Sequence, residues 1–280
     1  MMDVTIIIIT YKSENIIHDF VNRIPANLKT IIIENSKNYD LKKNIEKKYK
    51  NISVYVKENN GISSSLNFAA ELVKTKYFLQ ISPDIEFNFN DLNLFIDFAN
   101  KKNDNFAALG PRFLEVDEKS HKQIKKNLEY GKINSIHGSC MFVNNLVFKK
   151  IGKFDENFFL YFEETEYCYR AKIKGYNSYQ LNSSRVKSNG RSVEVLDTEK
   201  KKMNNFLVWH FIWSKFYFYQ KKYTYYLAII LFVPTILRIL IKLIFYRFIK
   251  KDLNKKEKYY FRFQGLLSSI LGKKSSLRIN

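Results

Sequence analysis

Three glutamates, Glu163, Glu164 and Glu166, lie in the middle of the aromatic run FFLYFEETEYCYR, residues 158–170. Carboxylates avoid apolar surroundings unless a partner or a chemical role holds them there. On a helix with a period of 3.6 residues, Glu163 and Glu166 fall on one face with Arg170, and the spacing of Glu166 and Arg170 favours an ion pair. We therefore interpret Glu163 and Glu166 as members of a solvated, salt-bridged face.

Glu164 differs from its two neighbours because it shares its helical face with Cys168 and Ala171, the side predicted to face inwards. A half-buried carboxylate at a helix start has a raised pKa and can accept a proton near neutral pH. The same position also suits a carboxylate that only stabilises the first helical turn. The spacing leaves both interpretations of Glu164 open, a general base or a helix cap.

A second acidic pair, Asp84 and Glu86, follows directly after the apolar segment YFLQISPD at 77–84. Carboxylates at the end of a strand suit Mg²⁺ or Mn²⁺, which takes one or two carboxylates together with phosphate oxygens of a substrate. The alternative is a turn, with Pro83 at its first central position. The pattern by itself does not decide between a metal site and a turn.

The segment ENNGISSSLN at 58–67 places Asn59, Gly61 and small side chains just before a predicted helix, where phosphate groups can bind. It lacks the GxxxxGK[ST] and GxGxxG patterns, which argues against P-loop and dinucleotide-binding proteins. The sequence also has no Cys/His cluster with zinc-site spacing and no GxSxG motif.

Strand-like and helical segments alternate along the first 102 residues, which predicts a mostly parallel α/β sheet with ligands at the carboxyl ends of its strands. Farther along, the pattern predicts another strand, two short helices and then long helices that carry basic and aromatic residues. The predicted strands are 4–10, 30–35, 52–58, 77–84 and 135–143, and the predicted helices are 13–24, 39–50, 63–75, 91–102, 145–151, 162–174 and 203–222, followed by the apolar segment 225–249.

The net charge of +20 in 280 residues predicts an anionic partner, and most of this charge lies near the C-terminus. Residues 199–280 contain 18 Lys and Arg against 3 acidic residues, an excess of +15. The two cysteines, Cys140 and Cys168, lie in apolar sequence and are typical of buried thiols in a reducing cytoplasm. The first residues show neither the basic start nor the cleavage site of a signal peptide, so we expect a cytoplasmic location.

The motifs together resemble the inverting glycosyltransferases of family 2, which have the GT-A fold, and most closely their bacterial rhamnosyltransferase-like branch. The resemblance covers residues 4 to about 192 and depends on many weak motifs in one order. The matching segments are Thr10-Tyr11, Glu34-Asn35-Ser36-Lys37, Asn59-Asn60-Gly61 with Asn67, Ser82-Pro83-Asp84, Gly110-Pro111, Gly138-Ser139-Cys140-Met141, Phe154 to Phe159, and Glu163-Glu164 with Arg170 and Gly175-Tyr176.

The resemblance implies an α/β fold of the GT-A (Rossmann-like nucleotide-diphospho-sugar transferase) type, with a mixed, mostly parallel sheet flanked by helices in a catalytic domain at 1–198. It implies that Glu164 is the catalytic base, at a position where the family usually has aspartate. It also implies that Asp84 binds a metal, Mg²⁺ or Mn²⁺. The remaining implied contacts to a nucleoside-diphosphate sugar come from Thr10, Tyr11, Glu34, Asn35, Asn59, Gly61, Asp84, Gly138 and Lys187.

The sequence departs from the family pattern in KSNGRS, residues 187–192, where the family often has His-x-x-Gly-x-Ser. Lys187 takes the place of the histidine that acts as a metal ligand in the family. An ammonium group cannot bind a metal, but it can neutralise a diphosphate. We therefore expect weaker metal dependence than in relatives that have the histidine.

Residues 199–280 form a basic, aromatic helical region that we predict to be membrane-associated near 225–249. Arg238, Lys242 and Arg247 interrupt this apolar segment, and Pro234 would bend a helix there. Cations within a transmembrane span are costly, by about 2.5–3.5 kcal/mol each, so we favour a helix that lies in the interface of the cytoplasmic face of the cell membrane or re-enters it. The alternative is a helical hairpin packed on the catalytic domain.

These inferences predict a transferase that moves a sugar, with rhamnose a candidate, to a hydroxyl of a lipid-linked or cell-surface glycan at an anionic membrane surface. Two other classes compete with it. An inactive, transferase-like membrane scaffold would account for the substitutions at Glu34, Ser82, Glu164 and Lys187. A nucleic-acid-binding protein would need basic residues spread along the α/β domain, whereas the charge lies beside an apolar segment, so we predict no nucleic-acid partner.

Overall fold

The computed structural model describes residues 3–116, 123–190, 193–194 and 196–278. Within them the chain forms an α/β region followed by long helices. The strands are β1 (Val4–Thr10), β2 (Lys29–Glu34), β3 (Ile52–Val56), β4 (Tyr77–Ile81), β5 (Ile85–Glu86), β6 (Ala108–Phe113), β7 (Tyr130–Ile133), β8 (Cys140–Asn144) and β9 (Ser178–Ser188). The α-helices are α1 (Glu14–Val21), α2 (Tyr39–Lys48), α3 (Ile62–Leu72), α4 (Leu92–Lys101), α5 (Asn145–Ile151), α6 (Glu163–Ile173), α7 (Lys200–Lys222), α8 (Tyr225–Ile244) and α9 (Leu253–Ile270).

The sheet has the strand order β3-β2-β1-β4-β8-β6-β9-β5, with β7 paired to β9. The strands β3, β2, β1 and β4 are parallel, as the alternation of strands and helices predicts. Beyond β4 the pairing is mixed, because β8 is antiparallel to both β4 and β6, whereas β6 and β9 are parallel. The predicted mixed α/β sheet flanked by helices is therefore confirmed.

The apolar residues of β1 are buried on both faces of the sheet. Ile6 and Ile8 belong to the core on one face, together with residues of α1, α2 and α4. Ile7 points to the other face, into a core shared with α3, α5 and α6. This arrangement explains why β1 is a continuous apolar run rather than an alternating one.

The predicted elements differ from the observed ones mainly between residues 104 and 188. The strand predicted at 135–143 begins only at Cys140, because residues 134–137 are irregular and Gly138 and Ser139 form a turn. The strands β6, β7 and β9 have no counterpart in the prediction. In β9 the polar residues Gln180, Asn182 and Ser184 are buried, which hides the apolar pattern of a central strand.

The chain forms two compact units, one of residues 1–155 and 163–194 and the other of residues 156–162 and 195–280. The predicted catalytic domain ended at residue 198 and included 156–162. In the structure, residues 156–162 group with the C-terminal helices because their aromatic side chains pack there. Phe158 packs edge-on against Tyr217, and Phe159 stacks on His210.

The C-terminal unit is built on α7, α8 and α9, whose shared core contains Ile212, Phe216, Phe232 and Leu266. A side-chain carbon at Gly265 would lie 2.5 Å from the carbonyl oxygen of Trp209, so a glycine is needed where α9 approaches α7. The tail that follows α9 is held by His210. Its ring nitrogens contact the Ser275 hydroxyl at 2.9 Å and the Leu277 carbonyl oxygen at 3.0 Å.

One side of α8 packs into this core, and the opposite side is exposed. We call the exposed side the apolar stripe; its members are Tyr226, Ile230, Val233, Leu237, Ile241 and Ile244. Among the described residues, the segment Tyr225–Ile249 is the one helix long and apolar enough to cross a membrane, with a mean hydropathy of 2.5. The predicted apolar helix is therefore present.

Candidate active site

The ends of β1 and β2 are joined through a buried carboxylate, Glu34. The Thr10 hydroxyl donates to Glu34 Oε2 at 2.8 Å, and the backbone N–H of Ser36 donates to Glu34 Oε1 at 2.5 Å. Thr10 and Glu34 are almost completely buried, whereas Tyr11 is half-buried. The structure thus brings the predicted residues together, with Glu34 fixing the two strand ends and Tyr11 the more accessible group.

The next predicted residues lie at the N-terminus of α3. Asn35 donates from its side-chain amide to the Ser65 hydroxyl at 2.8 Å, which ties the end of β2 to the first turns of α3. Gly61 precedes the helix with φ +100°, a conformation that favours glycine, and its N–H donates to the Asn59 side chain at 3.3 Å. A helix start held in this way is suited to an anionic group.

Asp84 lies at the end of β4, where β5 and β9 pair. The Ser188 hydroxyl donates to Asp84 Oδ2 at 2.8 Å, and burial raises the pKa of the Asp84 carboxyl while this hydrogen bond opposes the rise. Lys187 is opposite Glu86 in the ladder, and its side chain is exposed. Within the described residues, no hydrogen bond or ion pair joins Lys187 to Asp84.

The donor set around Asp84 fits a metal that is bound together with a substrate. No group of three or more His, Cys, Asp or Glu side chains within the described ranges could hold a metal ion. A single carboxylate is enough for Mg²⁺ when substrate phosphates supply further oxygens. The geometry at Asp84 therefore fits a metal shared with a diphosphate and does not form a complete protein site.

The turn at Gly138 lies between the end of β4 and the start of α6. Gln80, on β4, donates its side-chain amide to the Gly138 carbonyl oxygen, and Ser82 N–H donates to the Ser139 carbonyl oxygen at 2.8 Å. A side-chain carbon placed at Gly138 would lie 3.4 Å from Glu163 Oε1 and 3.6 Å from Glu164 Cγ. These are ordinary van der Waals distances, so the turn at Gly138 lies directly against Glu163 and Glu164.

The prediction that Glu163 and Glu166 form a solvated face is wrong, because both side chains are buried. Glu166 is buried because Arg170 satisfies it: Arg170 Nε donates to both Glu166 oxygens at 2.9 Å. The other nitrogens of the guanidinium donate to backbone carbonyl oxygens at the end of α5 and just beyond it, including that of Ile151 at 3.0 Å. The predicted ion pair therefore exists, but it is buried and structural.

Glu163 is buried, and no cation of the described residues pairs with it. Burial raises the pKa of Glu163 well above the ordinary value, and the nearby Glu164 carboxylate raises it further by its charge and by a hydrogen bond between the two side chains. Its Oε2 atom is buried without a hydrogen-bond partner. We therefore assign Glu163 as the neutral acid of the pair at neutral pH.

Glu164 is half-buried, and the Thr165 hydroxyl donates to its Oε1 at 2.9 Å. The predicted inward side of the helix is confirmed by Cys168 and Ala171, which are buried. The chain enters α6 through Tyr161 and Phe162, at φ +69° and +70°, a strained conformation for residues with a side chain. Of the three α6 carboxylates, Glu164 is the most accessible.

A residue that the sequence interpretation missed is Glu194. Its carboxylate accepts hydrogen bonds from the N–H groups of Asn15 at 2.9 Å and Ile16 at 3.1 Å, at the start of α1. Its own N–H donates to the Lys12 carbonyl oxygen at 2.7 Å. The chain beyond β9 therefore returns to the end of β1, a contact that no local pattern could reveal because about 180 residues separate its partners.

Comparisons with known proteins identify the family. The model of glycosyl transferase family 2 matches residues 5–166, more than half of the chain. The chain is 26% identical over 196 residues to the low-salt glycan biosynthesis hexosyltransferase Agl10 of Haloferax volcanii, covering 62% of this chain and 63% of that protein. It is 28% identical over 172 residues to an uncharacterized glycosyltransferase of Rickettsia typhi, covering 55% of this chain and 54% of that protein.

Solved structures share the fold at low sequence identity. The mannosyltransferase PcManGT from Pyrobaculum calidifontis, in complex with GDP-Man and Mn²⁺, has a TM-score of 0.60 at 10% identity, covering 97% of this chain and 88% of that one. S. aureus TarS in complex with UDP-GlcNAc has a TM-score of 0.55 at 12% identity, covering 97% of this chain and 93% of that one.

The chain therefore belongs to glycosyl transferase family 2. It spans less than two thirds of the length of the curated relatives described above.

Proposed function

We propose that this chain is an inverting glycosyltransferase that moves a sugar from a nucleoside-diphosphate sugar to a hydroxyl group of a lipid-linked or cell-surface glycan. The observation that carries the proposal is the division of roles on α6. Glu166 is occupied by Arg170 and Glu163 is neutral, so Glu164 is the carboxylate free to accept a proton. The hexosyltransferase named among the relatives supports this class, and the resemblance to the rhamnosyltransferase-like branch makes rhamnose a candidate sugar.

The proposed reaction is a single displacement. Glu164 removes the proton of the acceptor hydroxyl while the oxygen forms a bond to the anomeric carbon of the donor sugar. The bond between that carbon and the diphosphate breaks, and its electron pair leaves with the diphosphate. Attack from the side opposite the leaving group inverts the configuration. The hydrogen bond between neutral Glu163 and Glu164 orients the base.

The donor would lie along the strand ends. Tyr11 would contact the nucleoside, while the hydrogen bond between Thr10 and Glu34 fixes the strand ends beside it. The rest of the donor site would be formed by Asn35, Asn59 and Gly61. Asp84 would hold Mg²⁺ or Mn²⁺ together with the diphosphate, and the metal would offset the charge of the leaving group. Lys187 adds an exposed ammonium on β9 directly before Ser188, whose hydroxyl donates to Asp84.

We further propose that the C-terminal unit rests on the cytoplasmic face of the membrane through the apolar stripe. Pro234 lies within α8, and Arg238 lies to one side of the stripe, as in helices that lie in the interface with their cations in the headgroup layer. The excess of +15 in residues 199–280 suits an anionic leaflet, since each cation there contributes about 1 kcal/mol.

A matched pair of variants tests the assignment of the base. Glu164→Gln should retain folding and donor binding and lower sugar transfer by about 10²–10⁴-fold, the usual contribution of a general base. Glu163→Gln, its chain neighbour, should lower transfer by less than about tenfold, because glutamine can still donate the hydrogen bond of a neutral acid. Near-normal transfer by Glu164→Gln would contradict the assignment. Absence of turnover in the unmodified chain across a panel of sugar nucleotides would favour the inactive scaffold.

A further inference from the structure

Each long helix of the C-terminal unit carries one cation whose charge acts on, or is acted on by, a cation of another of these helices. Lys215 lies on the core-facing side of α7, between Ile212 and Tyr219. Its ammonium is 5.9 Å from the centre of the Phe232 ring on α8. Arg262, on α9, lies one turn before the buried Leu266 and is itself half-buried. Arg238, on α8, is exposed and directly precedes the buried Ile239. The three helices pack against one another in pairs.

No acidic group in the part of the chain that the structure describes neutralises this cluster. Within the described part of the chain, Lys215, Arg238 and Arg262 have no salt bridge, and the Nε atom of Arg262 is buried without a hydrogen-bond partner. Two carboxylates of the same unit bind other cations, Glu257 with Lys201 and Asp252 with Lys255. The cluster therefore carries three positive charges that the surrounding protein leaves unpaired.

The cations also act on one another. Burial lowers the pKa of Lys215, and the charge of Arg262 lowers it further. Burial likewise lowers the pKa of Arg262, with Arg238 lowering it further and the Tyr259 hydroxyl opposing the shift. A guanidinium remains protonated in proteins, so this repulsion cannot be relieved by loss of a proton from either arginine. An anion that binds all three groups would relieve it.

The chemistry of the cluster selects the kind of anion. Arginine and lysine together match the oxygens of phosphate and diphosphate groups, and the guanidinium donates two parallel hydrogen bonds to such oxygens. The apolar stripe belongs to the same helix as Arg238. A ligand that carries both a phosphate group and an apolar chain would satisfy both features of α8.

We propose that Lys215, Arg238 and Arg262 form a binding site for the phosphate or diphosphate group of a lipid. The site is distinct from the candidate nucleotide site on the sheet. This inference deepens the proposed function and rests on it, because a lipid diphosphate is the group through which a lipid-linked acceptor would be held. The headgroup of a membrane phospholipid offers the same phosphate chemistry.

Binding to the full-length chain tests the site with three probes: farnesyl diphosphate, inorganic pyrophosphate, and phosphatidylcholine vesicles containing either phosphatidic acid or phosphatidylglycerol. Arg262→Gln and Lys215→Met should each weaken farnesyl diphosphate binding by roughly tenfold or more, the usual loss for a charge-assisted hydrogen bond. Lys258→Gln, which removes an exposed cation from the same helix as Arg262, should change it by less than about twofold.

The probes distinguish the sources of the phosphate. Preference for farnesyl diphosphate over both vesicle types supports a lipid-linked diphosphate, and preference for phosphatidic acid over phosphatidylglycerol supports a phospholipid headgroup. Binding of pyrophosphate as tight as that of farnesyl diphosphate, with the same loss in Arg262→Gln, overturns the lipid part of the proposal. Equal losses in Arg262→Gln and Lys258→Gln overturn the site, because only the total charge would then matter.

Thermal unfolding separates a binding site from a structural cluster. Arg262→Gln should leave the melting temperature of the ligand-free chain unchanged or raise it, because the substitution removes like-charge repulsion. A lowered melting temperature with unchanged ligand affinity would show that Arg262 supports packing and would overturn the proposal. These measurements need no sugar transfer, so failure of the lipid site would leave the assignment of Glu164 intact. Loss of transfer in Glu164→Gln with normal farnesyl diphosphate binding would likewise leave the lipid site intact.

Discussion

The two compact units differ in how their buried charged groups are partnered. In the sheet-containing unit, buried Glu34 accepts hydrogen bonds from Thr10 and Ser36, and buried Glu166 is paired with Arg170. In the helical unit, the half-buried Arg262 has no acidic partner among the described residues. Burial of an unpaired charge is unfavourable. The first unit avoids this cost at Glu34 and Glu166 without a ligand, whereas in the second unit a bound anion would reduce the cost at Arg262.

Glu163, in the first unit, also has no partner of opposite charge among the described residues. A carboxyl group can avoid the penalty of burial by keeping its proton, and burial raises the pKa of Glu163 for that reason. A guanidinium group has no such option. The unpaired buried acid therefore retains its proton, whereas the half-buried Arg262, whose Nε atom has no partner among the described residues, fits the proposed anion.

The largest effect is expected when the buried ion pair of Glu166 and Arg170 in the first unit is broken. Arg170→Met should lower the free energy of unfolding by about 3–5 kcal/mol, because it leaves buried Glu166 without its cation. Urea unfolding measures this loss. The control is Lys37→Met, which removes the cation of the exposed pair with Glu58 and should cost less than about 1 kcal/mol. A small loss in Arg170→Met would mean that the native state leaves Glu166 solvated.

The next effect concerns the charge at the strand end. Asp84→Asn keeps an acceptor for the Ser188 hydroxyl but removes the charge that would hold the metal. Transfer should therefore fall by about 10²–10³-fold, as when a group that offsets charge in the transition state is lost. Glu86→Gln, on the exposed neighbouring residue, should have little effect. Steady-state transfer rates measure both variants.

The role of Lys187 is tested by metal removal. We expect chelation to lower transfer only partly, since the ammonium of Lys187 supplies positive charge at the position where the family pattern implied a histidine metal ligand. Complete loss of transfer in EDTA, restored by Mn²⁺, would contradict this role.

A smaller effect is expected in the second unit, where many residues share one surface. Ile230→Asn on the apolar stripe should weaken binding to anionic vesicles by about tenfold, which corresponds to about 1.4 kcal/mol. This loss is smaller than the roughly 1.5–3 kcal/mol gained by burying an isoleucine side chain completely, because the helix inserts only partly. Leu146→Asn, at a comparably exposed position on α5, should leave binding unchanged. Sedimentation with vesicles measures both, and resistance of the bound chain to alkaline carbonate would show that the helix spans the membrane.

A further expected effect, in the first unit, is a pH dependence of the free energy of unfolding. Since the pKa of Glu163 is raised on folding, its contribution to stability is fully present below the unfolded pKa, near 4.5, and is lost as the pH rises through the folded pKa. Glu163→Gln lacks this loss, so its stability relative to the unmodified chain should increase between pH 4.5 and 8. Urea unfolding at several pH values measures the difference. A difference that stays constant with pH would mean that Glu163 is ionised in the native state.

Much of the sheet could be predicted because its signals are local. The continuous apolar run of β1 predicts burial on both faces, and the structure shows this burial. The strand β9 could not be predicted because its buried residues include Gln180 and Asn182, whose side chains bond to each other at 3.1 Å. Their partners come from distant parts of the chain, for example the carbonyl oxygen of Lys125, which accepts from Asn182 at 2.8 Å.

The positions of the candidate site residues could be predicted from the family motifs. Whether each of these side chains is buried or exposed could be predicted less well. The helical period placed Glu164 correctly on the side of Cys168 and Ala171, but it also placed Glu163 and Glu166 in solvent. That error has a physical cause: the spacing of Glu166 and Arg170 is the same for an exposed pair and a buried one. Only the packing of α6 on the sheet core distinguishes them.

Residues 156–162 have a consequence for the order in which the chain becomes structured during synthesis. Phe158 and Phe159 pack against Tyr217 and His210, which are translated some 50–60 residues later. At about 5–20 residues per second, these aromatic side chains remain without their partners for several seconds. The segment that leads into α6 is thus completed only after α7 has emerged from the ribosome. A nascent chain that ends before α7 would contain every matched family motif and yet lack the packing that holds the entrance to α6.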